Sequence, residues 1–462
     1  MEKKFHFSRR KFLGGAAAAG ALTTLGTVAT LGTGGLLTSC SSGGSEKKYK
    51  NIEDLKLPPL LDKAPDGKVL KAGLIGCGGR GTGAAVNYLN AGNGLEIIAL
   101  GDVFEDKIKA CRETLKKEKN VDIADEKCFV GFDAFEKVID SGVDIIILAT
   151  PPHFRPKQFA AAVNAGKHVF MEKPVAVDPV GARAIMAAAK KAESLGLTVV
   201  TGTQRRHQRD YVETYKKIMD GAIGDVVAAN AYWNQNQLWF RTKEAGWSDM
   251  EAMLRDWVNW TWLSGDHIVE QHVHNLDVIN WFTGKHPVKA VGFGARHRRV
   301  TGDQYDMFSV DFVYDNGLHM HSMCRQIDGC ASNVSEYITG TKGMSNCQNT
   351  IYNPDGSVLW TYEYPKDEQG KPMDKVKISP YDQEHIDMVT AIRANKPINE
   401  GENTAISTLV GIMGRISAYT GKEVTWDEMM SSELKIGPEV YALGPVSIPV
   451  NIPVPGEGKP AN

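Results

Sequence analysis

Over its first half the chain alternates short, nearly continuous apolar runs with longer mixed stretches. Lys71–Ile75, Glu96–Gly101, Val143–Thr150, the run from His168 that ends on Glu172-Lys173-Pro174, and Leu197–Gln204 are the apolar runs, bounded by Gly, Asp or Pro. Runs of this kind are strands buried on both faces. Between them, residues 82–90, the stretch leading to Ala165 and residues 179–195 have helical composition. Strand–helix alternation of this length predicts an α/β fold with a doubly wound parallel sheet, here over residues 67–204. In such sheets ligands sit at the carboxyl ends of the strands. Thr150, Pro151, His153, Glu172, Lys173 and Gln204 all fall there.

The N-terminus reads differently. Ser8-Arg9-Arg10-Lys11-Phe12-Leu13 is similar to a twin-arginine export signal, and an apolar stretch rich in Ala, Gly, Thr and Leu follows to Leu37. Leu37-Thr38-Ser39-Cys40 resembles a lipobox, which predicts lipidation of Cys40 and attachment to the membrane only through that lipid. Residues 1–40 are therefore expected to be an address, and 41–66 a polar linker. The protein would be exported to the periplasmic face of a bacterial membrane.

Gly76-Cys77-Gly78-Gly79-Arg80-Gly81 lies between the first strand and the first helix. It has the G-x-G-x-x-G spacing in the context that gives it meaning. Gly76 permits the turn, Gly78 lets backbone approach a pyrophosphate, and Gly81 lets helix and strand pack closely. The helix N-terminus, with Gly79 and Arg80, would face the phosphates. Asp102 follows the second strand about twenty residues on, where an acid takes the adenosine ribose hydroxyls. An acid there repels a 2′-phosphate, so NAD is expected over NADP, with Lys107 close by.

Glu172-Lys173-Pro174, behind that fingerprint, resembles the Gfo/Idh/MocA oxidoreductase family. So do Gly265-Asp266-His267 through Glu270, His272 and His274 to Asp277, the Gly340–Gly343 turn, and Asn399-Glu400-Gly401-Glu402. The resemblance covers about residues 68–430. It implies a second, α+β domain over 205–436 with a large open, mostly antiparallel sheet. That sheet would include Val226–Asn234, Val288–Ala295, Met307–Tyr314 and Leu318–Cys324, with Asp315-Asn316-Gly317 as a hairpin turn. Its free face would make a homo-oligomer. Helices at Glu384–Asn395 and Thr404–Thr420 would pack back on the nucleotide domain, and 437–462 would be a Pro-rich tail.

The resemblance also implies chemistry. Hydride transfer from a secondary alcohol needs an acceptor for the hydroxyl proton and groups that hold the carbon against the nicotinamide. Lys173 and His274 are the candidates, with Glu270 at the family's catalytic Asp position; which of the two is the base stays open. Gly76, Gly78, Gly79, Arg80, Gly81, Asp102, Thr150, Pro151, His153, Glu172 and Lys173 would hold the dinucleotide. Gln204, Arg206, His207, Asn234, Gln235 and Asp277 would meet the substrate. In extended backbone Glu270, His272 and His274 would share a face; no metal is expected.

Three functions compete. One is a sugar, glycoside or polyol dehydrogenase with a tightly held cofactor, acting for instance at C3 of a glycoside. Another is an NAD-dependent glycoside hydrolase working by transient oxidation and elimination. The last is a non-catalytic sugar-binding lipoprotein. Composition narrows little further. The 462 residues carry a formal charge of −2, which leaves no electrostatic footprint for nucleic acid. The 7 Cys show no CxxC, which argues against a zinc ribbon, a thioredoxin-like motif and a dense disulfide framework; Cys324 and Cys330 could pair in an oxidising compartment.

Overall fold

The computed structural model describes residues 55–457 except 372, 374 and 449. The export signal, Cys40 and most of the linker lie outside the described residues. No helix among the described residues is long and apolar enough to cross a membrane.

The first sheet has six strands in the order β3-β2-β1-β4-β5-β6, all parallel. These are β1 (Leu70–Ile75), β2 (Leu95–Asp102), β3 (Cys128–Val130), β4 (Ile145–Leu148), β5 (His168–Met171) and β6 (Val199–Thr201). Helices α1 (Gly79–Asn90), α2 (Glu105–Lys119), α3 (Ala134–Ile139), α4 (Arg155–Asn164) and α5 (Pro179–Ser194) make the crossovers. The strand order reverses between β1 and β4, and that switch point is where a ligand cleft opens. Local chemistry fixes the ends. Asp178 caps α5 by accepting from the Gly181 N–H at 2.7 Å, with Pro179 in the first turn.

After α6 (Arg209–Met219) come β7 (Val226–Gln235) and a helical excursion, then a run of strands. The excursion holds α7 (Asp249–Arg255), α8 (Thr261–Ser264), α9 (His267–Glu270) and α10 (Val273–Thr283). The strands are β8 (Pro287–Ala295), β9 (Met307–Tyr314), β10 (His319–Gln326), β11 (Asn333–Gly340), β12 (Met344–Ser345), β13 (Thr350–Tyr352) and β14 (Val358–Thr361). The chain closes with α11 (Pro380–Arg393), α12 (Gly401–Thr420), β15 (Val424–Thr425) and α13 (Trp426–Ser431). The nine strands from β7 to β15 form one sheet in the order β14-β13-β12-β11-β7-β10-β9-β8-β15. It is antiparallel except for β7 against β10. The four strands named from sequence lie in this sheet; β11–β15 join them.

One continuous apolar core joins the two sheets. It runs from Ile75, Leu148 and Met171 to Phe308, Phe312, Met320 and Ile338. The joining element is α12, almost wholly buried, with Gly414 where a Cβ would stand 2.7 Å from the Phe312 ring. The C-terminal segment, read from sequence as a tail, lies back on the body over its described part. Ile436 N–H bonds Asp178 at 3.0 Å, Tyr305 O–H bonds the Pro453 carbonyl at 2.8 Å, and Gly456 N–H bonds the Thr420 carbonyl at 3.2 Å. Cys324 and Cys330 are free thiols, Cys324 buried on β10 and Cys330 exposed.

Candidate active site

A cleft of ≈ 440 Å³ opens at the carboxyl ends of β1, β2 and β4. Its floor includes Gly76, Gly78, Gly79, Arg80, Gly81, Asp102, Thr150 and Pro151. The glycines are placed by contact. Gly76 has φ +96°, and a Cβ on Gly81 would stand 1.8 Å from the Gly76 carbonyl oxygen. A Cβ on Gly78 or Gly79 would meet no protein atom within 4 Å, so the space above that backbone is open to a ligand. The α1 N-terminus carries no side-chain cap and no acid in its first turn, so its N–H groups are available to an anion. The Arg80 Nη2 beside it is buried without a partner. These features fit a dinucleotide pyrophosphate. Asp102 accepts from Cys77 N–H at 2.7 Å and Phe104 N–H at 2.9 Å, which aims its carboxylate at the cleft edge. Burial raises its pKa, opposed by those two backbone bonds.

Arg80 connects this cleft to the family motif, because its Nε donates to Glu172 Oε1. Glu172 sits beyond β5 against Gly202, where a Cβ would lie 2.3 Å from Glu172 Oε2. The Lys173–Pro174 peptide is cis. Lys173 Nζ donates to the Glu270 carbonyl at 2.6 Å and to Glu270 Oε1 at 3.1 Å. The remaining carboxylate oxygen of Glu270 accepts from Gln271 Nε2 at 2.5 Å. His274, one turn on, is buried and stacks on Trp233 with centroids 5.5 Å apart. Burial and the nearby charges of Lys173, Arg205 and Arg80 hold its pKa well below the ordinary imidazole value. His274 is therefore a neutral ring at pH 7, next to a Lys–Glu pair.

Several expected residues are placed elsewhere. His153 sits in an aromatic cluster with Trp262 and Tyr441, and its Nε2 is 2.7 Å from the Tyr441 hydroxyl; its pKa falls to about 4, chiefly by burial. The C-terminal segment thus takes the ring that was expected to meet the cofactor. Arg206 forms a bidentate pair with Asp277 at 2.8 and 2.9 Å, and Ser407 Oγ donates to the same carboxylate at 2.8 Å. His207 is held between Asp387 at 2.8 Å and Glu400 at 3.0 Å, which raise its pKa against the opposing push of burial. These three expected substrate contacts are interior ties, because a short basic run at a domain junction finds carboxylates on three other elements. Asn234 is on the wrong face: Trp233 points toward His274, and alternation turns Asn234 to the other side of the sheet. Gln235 shares the Trp233 side and leaves Nε2 buried without a partner. Gln204 Oε1 is buried and unpartnered too. The expected extended triplet is helical instead: His272 bonds Ser322 Oγ at 2.7 Å while Glu270 and His274 take the partners above.

Two residues escaped sequence reasoning. Arg155, buried at the start of α4, donates to the Thr150 carbonyl at 2.8 Å, to the Glu172 carbonyl at 2.9 Å and to the Pro174 carbonyl. It ties the cleft floor to the Lys173 loop. Glu384 on α11 is buried with both oxygens unpartnered, and burial beside Glu172 raises its pKa well above the carboxylate range. A lone Arg or Glu in a helical pattern gives no sequence signal for such roles.

A doubly wound sheet with this glycine loop, feeding a Lys–Glu–His cluster beneath a second open sheet, defines the nicotinamide-dinucleotide oxidoreductase class of fold. Two family models agree, one described as an oxidoreductase family with an NAD-binding Rossmann fold over residues 70–200, the other as the GFO/IDH/MocA C-terminal domain over 211–345. The chain belongs to the Gfo/Idh/MocA family. It is 27% identical over 233 residues to the 2,7-anhydro-N-acetylneuraminate hydratase of Escherichia coli, covering 49% of this chain and 57% of that protein. It is 21% identical over 277 residues to the scyllo-inositol 2-dehydrogenase (NAD(+)) of Bacillus subtilis, covering 59% and 72%. The chain spans 57–60% of the length of the first curated relatives it matches. The crystal structure of scyllo-inositol dehydrogenase from Lactobacillus casei with bound NAD(H) and scyllo-inositol superposes with TM-score 0.57 at 20% identity, over 77% of this chain and 99% of that one.

Proposed function

We propose that this protein is an NAD-dependent oxidoreductase acting on a secondary hydroxyl of a sugar, glycoside or polyol. One observation carries the reading: the Lys173–Glu270 pair and the neutral His274 stand together beyond β5, linked through Arg80 and Glu172 to the glycine-loop cleft. Gly78, Gly79 and the α1 N-terminus would hold the pyrophosphate, and Asp102 the ribose hydroxyls. A nicotinamide bound there would supply the hydride acceptor that oxidation of the carbinol carbon needs. His274, an unprotonated ring, offers an acceptor for the hydroxyl proton, and Lys173 Nζ, held by the Glu270 carbonyl and carboxylate, donates to the oxygen as negative charge develops. Glu270 keeps Lys173 in place. Gln204 and Gln235, with unpartnered amide atoms, would bond further hydroxyls. Asp102 favours NAD over NADP. An inositol dehydrogenase among the relatives suits a polyol ring as substrate.

The setting belongs to the same proposal. Ser8–Leu13 and Cys40 would send the chain out in folded form and anchor it by one lipid, so the dinucleotide would travel already bound. The exposed face of the nine-stranded sheet, with Val227, Val291, Phe293 and Tyr337, would make a homo-oligomer. A second reading, oxidation followed by elimination and return of the hydride, is favoured by the relative named a hydratase.

The test uses purified protein with no cofactor added. Denaturation should release NAD(H) in stoichiometric amount, and a sugar or polyol should change bound nicotinamide absorbance near about 340 nm. Turnover without net reduction would select the second reading. No dinucleotide, and none bound when supplied, would refute both.

A further inference from the structure

The outer wall of the dinucleotide cleft comes from the second half of the chain. Trp239, Arg241, Leu254, Arg255 and Trp257 line the same cavity as Gly78, Asp102 and Pro151. All five lie between β7 and α8, where the chain leaves the large sheet and crosses to the strand ends of the first. Trp239 and Trp257 meet edge to face at 6.3 Å.

Arg255, the last residue of α7, makes the crossing firm. Its two terminal nitrogens donate to Asp106 at 3.1 and 3.0 Å, the fork geometry that makes Arg–carboxylate pairs strong and directional. Its guanidinium stands 4.1 Å from the Phe104 ring centroid and 5.2 Å from that of Trp247, a cation between two aromatics. Nε bonds Glu251 at 2.9 Å, which sets the side chain before it meets its partner. Phe104 is the residue whose N–H orients Asp102. The pair therefore closes on the adenosine end of the cleft.

The segment is also backed from behind. An apolar cluster separate from the main core packs Met250, Met253, Leu254 and Trp257 against Phe104, Phe132 and Phe154 from the first sheet's loops, with Ile436, Tyr441 and Val446 from the C-terminal segment. Met250 N–H bonds the Gly444 carbonyl at 3.1 Å, so the C-terminal segment lies across α7.

We infer that residues 239–257 form a strap that encloses the adenosine half of the dinucleotide, latched by Arg255 on Asp106, and that the strap holds the cofactor in place through turnover. Release then requires the bidentate pair to open and α7 to lift from its apolar bed, instead of simple escape from an open Rossmann edge. The inference rests on the reading that this cleft holds NAD.

Dissociation measures it directly. Full-length protein loaded with radiolabelled NAD is diluted into excess unlabelled NAD, and retained label is followed by rapid filtration. Asp106→Ala and Arg255→Ala should each speed loss of label by more than tenfold, and the double variant should lose it no faster than the quicker single, because both break one latch. Asp106 is largely exposed, so its variant keeps the fold, which circular dichroism verifies. Equal dissociation rates in the parent and both variants would overturn the strap while leaving the cofactor reading intact. A parent protein that releases no dinucleotide on denaturation and takes up no label either would overturn the cofactor reading, and the strap with it.

Discussion

Arg206 separates two roles for the basic run after β6, a substrate contact and an interior ion pair. In the cleft it would bind substrate; in the structure it is committed to Asp277. The carboxylate of Asp277 is almost completely buried and Arg206 is mostly so. Replacing Arg206 by Met keeps the stem and removes the charge, leaving Asp277 with only the Ser407 hydroxyl. Breaking one half of a buried pair costs about 3–5 kcal/mol. With unfolding entropy of about 2.1 cal/mol/K per residue, a unit of roughly 400 residues loses about 1.2 °C per kcal/mol, so Tm should fall by about 4–6 °C. Arg206→Met with Asp277→Asn should recover part of that loss, because no buried charge is then stranded. Differential scanning calorimetry of the two singles and the double gives the coupling, and steady-state kinetics on whichever polyol reduces the bound nicotinamide gives KM. An unchanged Tm with a raised KM would refute the argument and place Arg206 in the substrate pocket.

Lys173→Met should leave the dinucleotide bound and cut turnover by about 10²–10³, the usual worth of one donor to a developing oxyanion; a loss below tenfold would remove Lys173 from the chemistry. Gly81→Ala should abolish dinucleotide binding measured by equilibrium dialysis, since its Cβ would stand 1.8 Å from the Gly76 carbonyl and the loop has to move. Stability should fall as pH drops below about 6.5. Burial holds His272 down to about 3 and His274 well below its ordinary 6.5, so unfolded imidazoles take up protons that the folded ones refuse, at about 1.4 kcal/mol per pH unit for each. His207 runs the other way: its raised folded pKa adds stability that is complete below 6.5 and is lost as pH climbs from there through the raised folded value. Calorimetry between pH 5 and 7.5 should show Tm falling toward pH 5, and a flat or rising profile would contradict the buried neutral rings.

The local grammar of the nucleotide-binding half was legible because each part depends on residues close in sequence. Apolar runs of strand length, glycines at G-x-G-x-x-G spacing and an acid after the second strand are short-range signals, and β1, α1 and Asp102 lie where they pointed. Lys173 and Glu270 are 97 residues apart, yet both could be named because each sits in a motif, and the fold brings them within a hydrogen bond. The motif did not show that Glu270 offers Lys173 its carbonyl as well as its carboxylate.

What only tertiary structure decided was direction. A residue's type is written in the sequence, but the face it occupies and the partner it meets depend on elements far along the chain. Asn234 and Gln235 read alike and point to opposite sides of β7. Arg206, His207 and Asp277 look like site residues until carboxylates and hydroxyls from α11, α12 and the turn before it take them up. His153 lies at a strand end facing a cleft, until the C-terminal segment brings Tyr441 against it. The sequence by itself determined which chemistry the chain carries and the scaffold that carries it, since both follow from residue type and short spacing. The tertiary structure decided which polar groups remain free for a ligand, because burial commits every polar group it can to a partner, and that partner is known only once the distant segments have packed.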